Sequence, residues 1–219
     1  MFKYIIASFL FVSSALAFEY KPYVKFGGGL NQISPVHIQT TESTGKIKLS
    51  HKFPLIEIGA GLQLTDTIRT ELVYDHYFLF LSKEESKNIY GDEFSVDYKT
   101  KINTLTFNTY KDIIVFNNFT PFIGGGIGIS FLQDSASGYG TNEFSTEKLE
   151  NSFTKRTNRL TYKLTTGVAI KLTDSYHLDI VYNYINLGTN KPKLNNGITN
   201  VTKRDYLVHN LTTSLRFNF

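Results

Sequence analysis

Tyr206-Leu-Val-His-Asn-Leu-Thr-Thr-Ser-Leu-Arg-Phe-Asn-Phe219 is the stretch on which the fold turns. Counting back from the last residue, Phe219, Phe217, Leu215, Thr213 and Leu211 share one face, and Asn218, Arg216, Ser214, Thr212 and Asn210 share the other. A period of two marks a β-strand with one apolar and one polar face. A soluble sheet can carry the same alternation. A chain that stops on such a strand, with an aromatic residue bearing the terminal carboxylate, better fits a sheet whose last strand closes on its first. Closure is compulsory in lipid, where an open edge leaves backbone groups without partners.

The other end of the chain points the same way. Met1 to Lys3 carries one positive charge, residues 4–16 are almost wholly apolar or small, and Ala15-Leu16-Ala17 fits a small-x-small cleavage site. This pattern predicts a secretory signal peptide at residues 1–17, too short to span a membrane as a helix, and one mature domain at 18–219. Losing Lys3 takes the formal charge from +4 to +3 (4 − 1). So mild an excess in an exported chain gives no reason to expect nucleic acid. The absence of cysteine excludes a disulfide framework, a thiolate metal site and a lipid-modified N-terminal Cys. Aromatic content is 15%, yet mean hydropathy is −0.17. A barrel reconciles the two, because half of each strand meets lipid while the other half and the loops stay polar.

Eight alternating segments can be traced. Residues 22–30 set Val24, Phe26, Gly28 and Leu30 against Tyr23, Lys25, Gly27 and Gly29. Residues 53–64 set Ile56, Ile58 and Leu62 against Glu57, Gly59 and Gly61, and residues 68–78 set Leu72 and Tyr74 against Arg69, Glu71 and Asp75. Residues 101–115 oppose Leu105 and Phe107 to Thr104, Thr106 and Asn108; residues 120–132 oppose Ile123, Ile127, Ile129 and Phe131 to three glycines and Ser130. Residues 159–172 and 176–187 continue the pattern, and residues 206–219 end it.

The connections alternate in length. Thr65-Asp66-Thr67, Asn117-Asn118 and Thr173-Asp174-Ser175 are short and rich in turn formers. Residues 31–52, 79–100, 133–158 and 188–205 are long and polar. Three short turns and four long loops predict an all-β, eight-stranded antiparallel transmembrane up-and-down β-barrel with both termini on the short-turn side. In bacterial outer membranes the short turns are periplasmic and the long loops extracellular.

Particular motifs carry a resemblance. Thr104-Leu-Thr-Phe-Asn-Thr-Tyr-Lys-Asp112 followed by Thr120-Pro-Phe-Ile-Gly-Gly-Gly-Ile-Gly128 resembles the central strand pair of the opacity-protein and outer-membrane-protein-A-like surface antigens. Leu178-Asp-Ile-Val-Tyr-Asn-Tyr-Ile-Asn-Leu-Gly188 is similar to that family's penultimate strand, with Asn183 where an arginine is common. That arginine's internal ion pair is therefore not carried over. The terminal segment, with Leu215, Phe217 and Phe219 alternating, resembles the C-terminal signal that the barrel assembly machinery reads. The resemblance implies a monomeric surface barrel in the outer membrane of a Gram-negative bacterium, in contact with its lipids and lipopolysaccharide. It also implies a surface antigen or adhesin whose host ligand the residues do not name.

Charged residues on the inward face are the first candidates for chemistry: Glu57, Arg69, Glu71, Asp75, Lys163, Lys171, Asp179 and Arg216. An eight-stranded barrel is only wide enough for side chains to fill it, so buried charges there must pair. A structural ion-pair network is expected, against the alternatives of acid–base work, a proton path or a narrow pore. The remaining alternative, a lipid-modifying barrel enzyme, would need Ser, His and a carboxylate within reach of one another. Of His37, His51, His76, His177 and His209, His76 beside Asp75 comes nearest, but adjacent strand residues face opposite ways. No cofactor or metal site is expected. For recognition, the longest loop offers Tyr139 and Phe144 as aromatic anchors.

Overall fold

The computed structural model describes residues 20–33, 36–39, 44–47, 52–87, 93–114, 116–142, 145–190 and 204–219. The expected signal peptide lies outside them. Among the described residues ten strands form: β1 (Lys21–Ile33), β2 (Val36–Gln39), β3 (Thr44–Ile47), β4 (Lys52–Gln63), β5 (Ile68–Lys87), β6 (Glu93–Asp112), β7 (Phe119–Asn142), β8 (Ser145–Lys171), β9 (Tyr176–Asn190) and β10 (Arg204–Asn218). Eight close a barrel in the order β1-β10-β9-β8-β7-β6-β5-β4, and β2 and β3 form a separate hairpin. The opening segment of the sequence is the strand that closes it. β10 pairs antiparallel with β1 from Tyr23↔Asn218 to Ile33↔Val208, and the Phe219 amide donates to the Pro22 carbonyl at 3.0 Å.

Local chemistry explains the tight turns. Thr65 Oγ1 accepts from the amides of Thr67 and Ile68, while the Leu64 and Thr65 amides bond the Ile68 carbonyl. Thr173 repeats the device, its hydroxyl accepting from the Tyr176 amide at 3.1 Å. At the third turn Asn117 adopts φ 53°, a left-handed conformation that asparagine tolerates better than most residues.

Two of the four expected loops are largely sheet. β5 and β6 stay paired out to Lys87↔Glu93 after a register shift between Tyr77 and Phe80, β6 and β7 out to Glu93↔Thr141, and β7 and β8 out to Asn142↔Ser145 after a shift between Gly140 and Asn142. Residues 133–158 read as a loop because they lack an apolar face, which a paired strand outside lipid does not need. In residues 79–100 only Phe94, Val96 and Tyr98 alternate with polar neighbours, too short a run to mark strands of this length. The barrel is consequently lopsided, with a tall wall of β5–β8 and a short wall of β9, β10, β1 and β4. The two walls part where β9 leaves β8. Their pairing ends at Tyr162↔Asn186, the Asn186 side-chain oxygen accepts from the Gly188 amide at 2.8 Å, and Gly188 takes φ 88°. A Cβ at Gly188 would lie 2.7 Å from that of Arg159, so only glycine fits both the conformation and the approach.

The outward face bears a continuous apolar band. Phe26, Ile127 and Leu164 are each more than 60% exposed, a degree of apolar exposure that only lipid would cover around a whole barrel. Aromatic residues bound the band at both ends. At the long-loop end Tyr74 donates to Asn103, Tyr182 meets His209 Nδ1 at 2.6 Å, and Asn186 donates to Tyr162. At the short-turn end the rings of Tyr176, Phe217 and Phe219 stack in series at 5.0 Å. Interfacial belts of this kind anchor barrels at the two lipid–water boundaries.

Candidate functional site: a charged lumen under an apolar cap

The lumen has two tiers. In the lower tier four cations (Lys25, Arg69, Lys163, Arg216) and four anions (Glu57, Glu71, Asp75, Asp179) are buried among the described residues. Lys25 Nζ sits 2.6 Å from Glu71 Oε1 and 3.1 Å from Glu57 Oε1, the second contact lacking hydrogen-bond alignment. Tyr110 and Tyr23 both donate to the Glu71 carboxylate, at 2.6 and 3.2 Å. Asp75 accepts from Thr104 at 2.9 Å and faces Lys163 Nζ at 3.4 Å.

Nearer the turns, Asp179 takes Arg216 at 3.2 Å and Arg69 at 3.6 Å, and Arg69 also reaches toward Asp112 at 3.7 Å. The Arg69 guanidinium lies 4.2 Å from the centroid of Phe122 and 5.1 Å from that of Tyr110, a stacking that offsets lost hydration. Inward glycines seat the large rings: Tyr23 covers Gly61, and Phe122 covers Gly167. Equal numbers of opposite charges in contact are what a dry lumen requires, since one unpaired ion there is strongly destabilising.

Above this belt the inward residues turn apolar. Ile33, Phe53, Leu55, Tyr77, Ile102, Leu132, Ile185, Leu187, Tyr206 and Val208 form one buried cluster across the barrel. Seven of the eight strands contribute. On the outside at the same height stand mostly polar residues, Gln32, Lys52, His76, Asn103, Lys101, Gln133, Asn186 and His209, with Phe78 and Leu207 among them. Polarity thus inverts at the upper aromatic belt, as expected where the strands leave lipid and enter water.

Seven of the eight charges singled out in the sequence lie in the lower tier. Lys171 does not. It stands at the last position of β8, its side chain 47% exposed, and pairs with Asp174 of the adjoining turn at 2.6 Å. That hydrogen bond, with the lysine's charge, holds the Asp174 carboxyl below its usual range. Face parity alone put Lys171 inside, but the lumen ends before the strand does. Lys25, the hub of the network, was on the inward face yet not among the eight. Its position opposite Glu57 and Glu71 depends on register, which sequence does not display.

Among the described side chains the histidines do not meet a serine and a carboxylate. Asp75 is fully buried while His76 points outward, its Nδ1 2.6 Å from Asn103 Oδ1. His177 contacts Asn218 and His209 contacts Tyr182. The side chains of His37 and His51 lie outside the description. Among the described residues no three His, Cys, Asp or Glu converge as metal ligands. Tyr139 falls on β7 but its side chain is not among those described, and Phe144 lies outside the described residues.

A closed barrel with inward charges, an outward apolar band and aromatic belts defines an outer-membrane protein. Residues 5–219 match the outer membrane protein beta-barrel domain family, and the chain belongs to that family. It is an integral barrel of the outer membrane. A Rickettsia bellii protein provisionally named as an adhesin is 32% identical over 168 residues, 74% of this chain and 73% of the relative. A Rickettsia canadensis protein of the same provisional name is 27% identical over 94% of this chain and 93% of its own length. Among solved structures, Neisserial surface protein A is similar in fold, with a TM-score of 0.52 at 15% identity, covering 90% of this chain and 97% of that one.

Proposed function

We propose that this protein is a non-catalytic surface protein that attaches the cell through the tall wall of β5–β8, with its long connections outside the cell and both termini in the periplasm. One observation carries the reading. The paired strands of β5–β8 continue past the apolar cap, well beyond what crossing requires, since about nine to eleven tilted residues suffice. Strands that outrun the membrane contribute nothing to spanning it. They hold a surface rigidly in front of it, and recognition is commonly carried by such scaffolded extensions. The names of the Rickettsia relatives agree with attachment. The absence of a catalytic role is supported by pairing: each described lumen carboxylate contacts a cation or hydroxyl, and Asp75 and His76 face opposite sides of the wall.

The other proposed contacts follow from the strands. β10, with Leu215, Phe217 and Phe219 outward, presents the signal for barrel assembly, and the apolar band meets outer-membrane lipid around a monomer. The test is excision. Replacing residues 135–155 with a short Gly-Ser turn leaves a barrel that still shifts with heating on a gel but attaches less to host cells. Unchanged attachment by folded barrels trimmed at β5–β6 and at β7–β8 would overturn the adhesin reading. Conductance separates the pore alternative: the cap predicts little current in planar bilayers, and a steady single-channel current would favour a pore.

A further inference from the structure

We propose that the outward face of β6–β8, immediately above the upper aromatic belt, is a binding site for the phosphate groups of outer-leaflet lipid. Lys101, Gln133 and Arg156 stand in one register row across three adjacent strands, through the pairs Lys101↔Gln133 and Gln133↔Arg156. One row higher, Lys99↔Ser135 and Ser135↔Thr154 continue it, with the Ser135 and Thr154 hydroxyls 3.2 Å apart. All of these alternate with buried inward residues such as Thr100, Ile102 and Leu132, so they face away from the lumen. Strand spacing puts the Cα atoms of Lys101 and Arg156 about 10 Å apart and Lys99 about 7 Å above Lys101. Three cations therefore share a patch the size of one lipid headgroup.

The surroundings identify the occupant. Directly below on the same strands, Leu105, Phe107, Ile127, Ile129, Leu160 and Leu164 meet acyl chains. The next atoms above acyl chains are headgroups. No described ion pair engages Lys99, Lys101 or Arg156, and no carboxylate among the described side chains faces outward at this end of the barrel. At the opposite end Lys171 is neutralised by Asp174. Among the described side chains, the short wall offers Lys52 beside Gln32 at the matching height. Gln133 and the two hydroxyls add neutral donors, and the cations supply the charge that a phosphate dianion favours. The site rests on the reading that the long connections are extracellular, which sets the phosphorylated outer leaflet against this face.

The test uses full-length protein in nanodiscs carrying diphosphorylated lipid A or its dephosphorylated counterpart. Bound lipid is counted by native mass spectrometry at low and high salt. Wild type retains the diphosphorylated form preferentially, and retention falls as salt rises. The triple substitution K99S/K101S/R156S, all exposed and outside the packed lumen, still shows the heat-dependent gel shift and weakens retention about a hundredfold, since each surface cation contributes a factor of about five. The control K21S/K111S at the turn end retains lipid as wild type does. Equal retention by the triple variant overturns the site, as does indifference to dephosphorylation. Loss in the turn-end control instead would overturn the orientation. Displacement of lipid by a soluble polyglutamate peptide at equal charge concentration would reassign the patch to an acidic protein partner and overturn the lipid proposal. Host-cell attachment is not the readout, so the attachment reading can fail while this one stands.

Discussion

Below the upper aromatic belt the barrel is apolar outside and holds its buried charges inside, beside a small cluster of Tyr110, Phe122, Ala169 and Val181; above it the described inward residues turn apolar and the outside mostly polar within the same strands. On β4 the inward residues pass from Glu57 to Leu55 and Phe53. On β9 they pass from Asp179 and Asn183 to Ile185 and Leu187, and on β10 from Thr212 and Asn210 to Val208 and Tyr206. The chain stays in β-strand across the switch on all three, so the solvent outside, rather than the secondary structure, decides which face is apolar. In lipid, the burial of apolar side chains against one another gains nothing over contact with acyl chains, and the lumen can hold paired charges. In water, the same closed ring must build an ordinary hydrophobic core, worth about 25 cal/mol for each Å² removed from solvent. The charged belt and the cap are two answers to one question.

The comparison can be broken first in the lower tier. Lys25→Met leaves Glu57 and Glu71 buried without their shared cation and costs about 3–5 kcal/mol, read as a lower unfolding midpoint in urea from lipid vesicles. A loss under about 1 kcal/mol would mean the belt is hydrated rather than dry. Next comes the outer face. Ile127→Arg, within the apolar band, costs about 2–4 kcal/mol near the midplane, whereas Gln133→Arg, six residues along the same face but above the belt, is near neutral. Equal costs at the two positions would erase the boundary.

A smaller effect tests the cap: Ile185→Val removes one buried methylene and costs about 0.5–1.5 kcal/mol, as in a soluble core. The smallest belongs to the rim. The lowered folded-state value of Asp174 means its stabilisation is present above the usual aspartate range and lost as pH falls through that lowered value. Because the pair is exposed, Asp174→Asn leaves the unfolding midpoint unchanged within error at neutral pH, and a clear shift would show that the rim is more enclosed than described.

Much of this was legible in the residues. Strand number, closure, turn positions and face assignment followed from period-two alternation and from Thr-Asp-Thr and Thr-Asp-Ser turn chemistry. Three things were not. The tall wall was hard to see because residues 133–158 carry no apolar stripe and residues 79–100 show only the short alternation of Phe94, Val96 and Tyr98. The cap was obscured because inward Ile185 and Leu187 keep the parity of Asp179 and Asn183 while reversing its polarity, which looks like a fading pattern. The hub role of Lys25 and the row of Lys101, Gln133 and Arg156 arise from pairing between strands distant in sequence. Register across a sheet is not written within any single strand.

One measurement addresses the polarity inversion directly. The chain has no cysteine, so single cysteines at Leu164, Leu160, Arg156 and Thr154 place a fluorophore at four outward positions up β8. Quenching by lipid carrying a nitroxide midway along its acyl chain is predicted to be strong at 164 and 160 and weak at 156 and 154, which stand at headgroup height, while soluble iodide quenches in the opposite order. Lipid quenching at 156 and 154 as strong as at 164 would contradict the account, because the strands would then still be in the membrane where the cap has formed.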